Sequence, residues 1–191
     1  MLARTVRPAV SLLLAMTVLC GIVYPLVITG IAGIAFPHQA AGSLIHRDGK
    51  VIGSELIGQN FSALGYFWGR PSATSPQPYN GVASSGSNLG PLNPALIDSV
   101  KARALALRTA DPGNTRAIPV ELVTTSASGL DPEIGPAAAY YQADRVARAR
   151  GLRREQVEAL ITSHLQGRLL GFIGEPRINV LELNLALDGL H

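Results

Sequence analysis

Between Arg7 and Arg47 the chain has no Asp, Glu, Lys or Arg. Within that gap, residues 10–34 are almost entirely Val, Leu, Ile, Ala, Gly and Thr. As a helix rising about 1.5 Å per residue they span roughly 37 Å, enough to cross a hydrocarbon core of about 30 Å with some tilt. Cysteine is nearly absent too: Cys20 is the only one, and it falls inside the apolar run. That excludes an intramolecular disulfide and any cysteine-based metal site. The charge excess is small. The formal net charge is +3, and Arg4 and Arg7 account for most of it. A near-neutral remainder lacks the clustered basic face that nucleic acid requires, so no nucleic-acid partner is expected. The only dense basic group is Arg145, Arg148, Arg150, Arg153 and Arg154, on helical segments, and it reads as a solvated face.

The apolar run is too long for the core of a cleaved signal, about 7–15 residues, and no clean pair of small residues marks a cut after Phe36. It reads as an uncleaved anchor that kinks at Pro25, where the ring removes a backbone donor. The short N-terminus carries Arg4 and Arg7, which places it in the cytoplasm. The expected organisation is a cytoplasmic segment over 1–9, a transmembrane helix over 10–34, and an extracytoplasmic domain over 35–191. In a Gram-negative cell that is a single pass through the inner membrane, with the domain in the periplasm.

The domain reads as mixed α/β (α+β). Residues 42–57 predict a hairpin turning at Asp48-Gly49, a strong turn signal. Tyr66-Phe67-Trp68 predicts packing. Residues 69–94 are the oddest stretch: 17 of the 26 are Gly, Pro, Ser or Asn, and Arg70 is the only charge. A loop this long is functional or disordered, and its low charge and aromatic entry favour an ordered loop held against something. Asn93-Pro94 predicts a capped helix start. Residues 118–124 predict a strand, with Pro119 at its start or edge. Gly135-Pro136 opens a helix that Gly151 closes, and another covers about 153–164. Residues 178–187 alternate and predict a strand turning helical near its end.

Three constellations carry possible chemistry. Ser128, Asp131 and His164, with Ser126 nearby, could form a hydrolase triad, but the Gly-x-Ser-x-Gly elbow is missing. An anchored periplasmic hydrolase is therefore the alternative reading. His38 and His46 lack HxxxH or HExxH spacing, so no metal is expected. Ser84, Ser85, Gly86, Ser87 and Asn88 form a loop whose backbone N–H groups could face an anion. It lacks the lysine of a Walker loop, and the sequence favours a tight loop that needs its glycine for positive φ.

Several motifs in one order carry a resemblance. Gly53-Ser-Glu-Leu-Ile-Gly-Gln59, Tyr66-Phe-Trp-Gly-Arg-Pro-Ser-Ala-Thr74, Tyr79-Asn80, Ser87-Asn-Leu-Gly-Pro91 and Asn93-Pro94 come first. Leu122-Val-Thr-Thr-Ser-Ala-Ser-Gly-Leu-Asp-Pro132 and Gly174-Glu-Pro-Arg-Ile-Asn-Val-Leu181 follow. Together they resemble the KdpC family, one of the component chains of the bacterial potassium-transporting ATPase. The resemblance implies a non-catalytic accessory chain. Its implied partners are a channel-like, potassium-binding subunit, the P-type pump subunit that hydrolyses ATP, and a third, small helical subunit. It implies a catalytic chaperone that raises the ATP affinity of the pump subunit, and it implies ATP as a ligand of the loop Ser84 to Asn88. Ser85 stands where the family pattern has glycine. An extracytoplasmic loop also meets no ATP pool, so direct ATP contact and the expected topology exclude each other.

Overall fold

The computed structural model describes residues 2–190; Met1 and His191, including the C-terminal end of the expected domain, lie outside the described residues. The chain divides into two compact units, one up to Leu44 and one from Ile45 onward.

The first unit is the membrane-span candidate, a helical stretch over Arg4–Ala35 long and apolar enough to cross a bilayer. It comprises α1 (Leu2–Val18), a π-turn (Leu19–Val23) and α2 (Tyr24–Ala35). The π-turn ends two residues before Pro25, whose ring removes a backbone donor from the helix. Phe36 breaks the helix, and a single turn, α3 (Pro37–Ala40), ends the unit.

The second unit is a mixed helix and sheet domain. It opens with the expected hairpin, β1 (Leu44–Arg47) and β2 (Lys50–Ser54). Asp48 and Gly49 both have positive φ, 52° and 74°, the conformation a two-residue hairpin turn demands. The remaining elements are α4 (Pro94–Ala110), a 3₁₀ turn (Val120–Leu122), β3 (Glu133–Ile134), α5 (Pro136–Arg150), α6 (Arg154–Ser163), β4 (Ile178–Asn179) and α7 (Val180–Asp188). Asn93 caps α4 by accepting from Ala95 N–H at 3.0 Å. Gly151 closes α5.

One expected strand is absent and another is cut short. Residues 118–124 form only the 3₁₀ turn, because Val123 and Thr124 N–H both turn back to Val120 O. Residues 178–187 pair for two residues alone, Glu133 with Asn179 and Ile134 with Ile178, antiparallel. The chain then turns helical at Asn179, whose side chain accepts from Glu182 N–H at 3.2 Å. The alternating leucines concealed a helical pattern. Val180, Leu181, Leu183, Asn184 and Leu187 are the buried positions of α7, spaced as one face of a helix.

The core lies where α5 packs on α6 and α6 on α7. Alanines 138, 139, 143 and 147 line the buried side of α5. Phe67 is fully buried among these helices, yet it lies on a segment with no regular structure. Two buried amides replace the missing strand partner. Asn184 Oδ1 accepts from Phe67 N–H at 2.8 Å and its Nδ2 donates to Phe67 O at 3.0 Å. Gln142 Oε1 accepts from Trp68 N–H at 2.8 Å and its Nε2 donates to Trp68 O at 3.0 Å.

The basic residues of α5 do not form a simple solvated face. Arg145 is buried, stacks 4.4 Å from the Trp68 ring centroid, and donates to Leu64 O and Gln142 Oε1. Burial pushes its guanidinium down to about 10, with Arg148 adding to this and Asp111 opposing it, so it stays charged at neutral pH. Arg148 pairs with Asp111. Arg150 donates to Gly65 O at 2.7 Å and to Asp188 at 2.7 Å. Asp188 also accepts from the Tyr66 hydroxyl at 3.0 Å and pairs with Arg47 at 3.5 Å. Three of these arginines therefore fasten other segments to α5.

Replacing Asn184 by Leu should leave both backbone groups of Phe67 unpaired in the core. The expected loss is about 1–3 kcal/mol for each orphaned group, read as a lower midpoint in thermal unfolding of the detergent-solubilised chain. Asp188 supplies a pH signature. Burial acts to raise its pKa, but the hydrogen bonds from Arg150 and Tyr66 and the charges of Arg150 and Arg47 outweigh it and hold the carboxyl below its ordinary value. Its stabilising contribution is therefore present above the unfolded value of about 3.9 and is lost as pH falls through the lower folded value. Acid titrations should show this component in the wild type and lack it in Asp188→Asn.

Candidate functional site

The loop over 69–94 has no regular structure, but side chains and two close backbone contacts fasten it to residues 122–132. Ser85 N–H donates to Ser128 O at 2.9 Å, and Ser84 Oγ donates to the same carbonyl at 3.0 Å. Thr125 Oγ1 donates to Ser87 Oγ at 3.2 Å. Gly86 lies so close to the lower segment that a Cβ there would sit 2.8 Å from Ala127 O. Glycine at 86 is thus explained by packing.

The entry to the loop is held electrostatically. Arg70 pairs with Asp131 at 3.0 Å and donates to Thr125 O at 3.4 Å. The Tyr79 hydroxyl donates to Arg70 O. Burial, then the Asp131 charge, push the Tyr79 phenol up to about 12 against the opposing effect of Arg70, which keeps it protonated as a donor. Ser72 Oγ donates to Gly129 O at 2.7 Å and accepts from Tyr79 N–H at 2.9 Å. Thr74 Oγ1 donates to Gln77 O at 2.7 Å and accepts from Asn80 N–H at 3.0 Å. A cleft of about 280 Å³ opens beside this knot, lined by Trp68, Arg70, Tyr79 and Arg103 among others.

The chemistry read from the sequence is dispersed by these bonds. Ser128 Oγ accepts from Leu130 N–H at 3.1 Å, Asp131 takes Arg70, and His164 Nδ1 lies 2.9 Å from Leu160 O at the end of α6. No hydrogen bond joins any two of Ser128, Asp131 and His164 among the described residues. Ser84 to Asn88 are brought together, and one of their backbone N–H groups, that of Ser85, is given to Ser128 O. Among the described residues no group of three or more His, Cys, Asp or Glu side chains converges as a metal site.

The fastened loop instead offers a surface. Its outer side presents Val82 and Leu92, 96% and 92% exposed, with almost no charge nearby in sequence. A second apolar surface went unread in the sequence. Residues 165–177 fold back as a small ladder, with bridges Gln166 to Arg177 and Leu169 to Ile173. Its tip exposes Leu169, Leu170, Phe172 and Ile173. The signal was an apolar quartet set between Gly167 and Gly174 and interrupted by Gly171.

Gly58 is the most sensitive point of the knot. A Cβ there would lie 2.4 Å from the Tyr79 ring and 2.7 Å from Asp131 O. Gly58→Val should displace Tyr79, cost about 1–3 kcal/mol, and raise amide hydrogen exchange across 69–94 while sparing α5. Unchanged exchange in that loop would contradict the fastening described.

Comparison with known proteins agrees over nearly the whole chain. The profile of the family described as "K+-transporting ATPase, c chain", KdpC, matches residues 6–189. The potassium-transporting ATPase KdpC subunit of Variovorax paradoxus (strain S110) is 64% identical over 185 residues, covering 97% of this chain and 96% of that protein. The KdpC subunit of Polaromonas naphthalenivorans (strain CJ2) is 64% identical over 184 residues, covering 96% and 94%. That of Herminiimonas arsenicoxydans is 60% identical over 187 residues, covering 98% of each. The chain belongs to the KdpC family, the c chains of K+-transporting ATPases.

Proposed function

We propose that this chain is a non-catalytic accessory component of a potassium-uptake ATPase, anchored in the inner membrane by its single span. The N-terminal residues 1–9 lie in the cytoplasm, residues 10–34 cross the bilayer, and the domain over 35–191 stands in the periplasm. Its partners are the channel-like potassium-binding subunit, the ATP-hydrolysing pump subunit and the small helical subunit.

The observation that carries this reading is the fastened, nearly uncharged loop over 69–94. A segment rich in Gly and Ser is made rigid by Ser72, Thr74, Tyr79 and the Arg70–Asp131 pair, and it holds Val82 and Leu92 out to solvent. Rigidity combined with exposed apolar groups suits docking to a preformed partner, because little ordering entropy remains to be lost on binding. The same bonds leave Ser128, Asp131 and His164 in structural roles, which removes the support for a hydrolase. The chain raises the ATP affinity of the pump subunit through assembly. Ser84 to Asn88 serve as part of the docking loop and make no contact with nucleotide.

Val82→Asp with Leu92→Asp should weaken co-purification with the other subunits and raise the KM for ATP of the recovered complex. Circular dichroism of the variant should remain that of the wild type. Full co-purification with an unchanged KM would remove the loop from the interface. A reporter fused after His191 should be active only outside the cytoplasm; cytoplasmic activity would overturn the orientation and restore Ser84 to Asn88 as an ATP loop.

A further inference from the structure

The π-turn in the span takes from Cys20 O the backbone donors that a regular helix would give it. In an α-helix Cys20 O would accept from residue 24. Here Tyr24 N–H donates to Leu19 O, one carbonyl further back. In the wider turn Cys20 O would next accept from residue 25, but that residue is Pro25 and has no N–H. The nearby hydroxyls on the N-terminal side are committed elsewhere: Ser11 donates to Arg7 O at 2.9 Å and Thr17 to Leu13 O at 2.8 Å.

Position makes this costly. Cys20 lies near the middle of the Arg4–Ala35 stretch, where hydrocarbon offers no water. An unsatisfied polar group there costs several kcal/mol, so freed carbonyls in spans are met by neighbouring helices, side chains or trapped water. Pro8 makes a similar omission opposite Arg4, but at the charged end of the helix, where water is at hand. Gly21 follows Cys20, and nothing lies within 4 Å of where a Gly21 Cβ would be.

We propose that the π-turn is a docking site for a transmembrane helix of another subunit, which donates a side-chain hydrogen bond to Cys20 O across Gly21. The incoming helix carries a hydroxyl, amide or indole donor at mid-membrane depth. A purely apolar helix leaves the carbonyl unmet, and lipid cannot supply the bond. This rests on the reading of the chain as part of an assembled complex, and it adds where in the span the contact falls and what chemistry makes it.

Cys20 is the only cysteine of the chain, so carbonyl-labelled [1-¹³C]cysteine marks this one group. The labelled full-length chain is measured by infrared spectroscopy in lipid bilayers at low protein density. It is then measured again after assembly with unlabelled partner subunits. The expected result is a single labelled band at the frequency of a free amide carbonyl in the isolated chain, moving to lower frequency on assembly. In Gly21→Leu the band should stay at the free frequency even in complexes that still form. In Pro25→Ala residue 25 regains an N–H, so the band should be low without partners. A band unmoved by assembly, or already low in the isolated wild type, overturns the proposal. A shift that follows protein density without partners overturns it in favour of self-association. Failure of the chain to assemble at all counts against the reading as a complex component instead, and co-purification separates the two.

Discussion

The domain depends on how two buried amides hold one irregular segment. Gln142 on α5 and Asn184 on α7 each use both an oxygen and an NH₂ to satisfy the backbone of Trp68 and Phe67. A backbone segment without a sheet partner cannot enter a core unpaired, because each unmet group costs about as much as the burial of a side chain provides. The amides remove that obstacle and allow Phe67 to be fully buried between helices. Gln142 is itself positioned by Arg145, whose charge is shared between Gln142 Oε1, Leu64 O and the Trp68 face. The core and the path of the chain into the loop are therefore one construction.

The loop then inherits its position from that clamp. Arg70 follows the clamped pair by two residues and meets Asp131, and the Tyr79 hydroxyl returns to Arg70 O. From there Ser72 and Ser85 bond to backbone groups of residues 128–129. The result is a surface shaped by backbone and hydroxyl contacts, with few charges to attract or orient a small ionic substrate. Arg150 and Asp188 complete the fastening at the other side, tying Gly65 and Tyr66 to α5 and α7.

Much of this was legible in the residues. The charge gap announced the span, Asp48-Gly49 the hairpin, and Asn93-Pro94 and Gly151 the helix boundaries, because each rests on local backbone chemistry. What failed was whatever depended on distant partners. Residues 178–187 carried a period of two and a helical period together, and only the burial of Asn184 beneath Phe67 decides between them. Residues 118–124 had strand composition but no edge to pair with. The arginines of α5 read as solvated because their acceptors, Leu64 O, Gly65 O and Asp188, are remote in sequence. The serines and glycine over 84–88 were visible as a motif, but the bond from Ser85 N–H to Ser128 O joins segments remote in sequence.

The ladder over 165–177 has one further consequence. Its backbone bonds are already made within itself, from Gln166 with Arg177 to Leu169 with Ile173, and its base is braced by Arg168–Glu175 and Arg177–Glu133 pairs. Leu169, Leu170, Phe172 and Ile173 consequently cannot be withdrawn by a local rearrangement without breaking that ladder. The four side chains are thus a fixed apolar patch of the domain, in addition to the exposed Val82 and Leu92 of the loop.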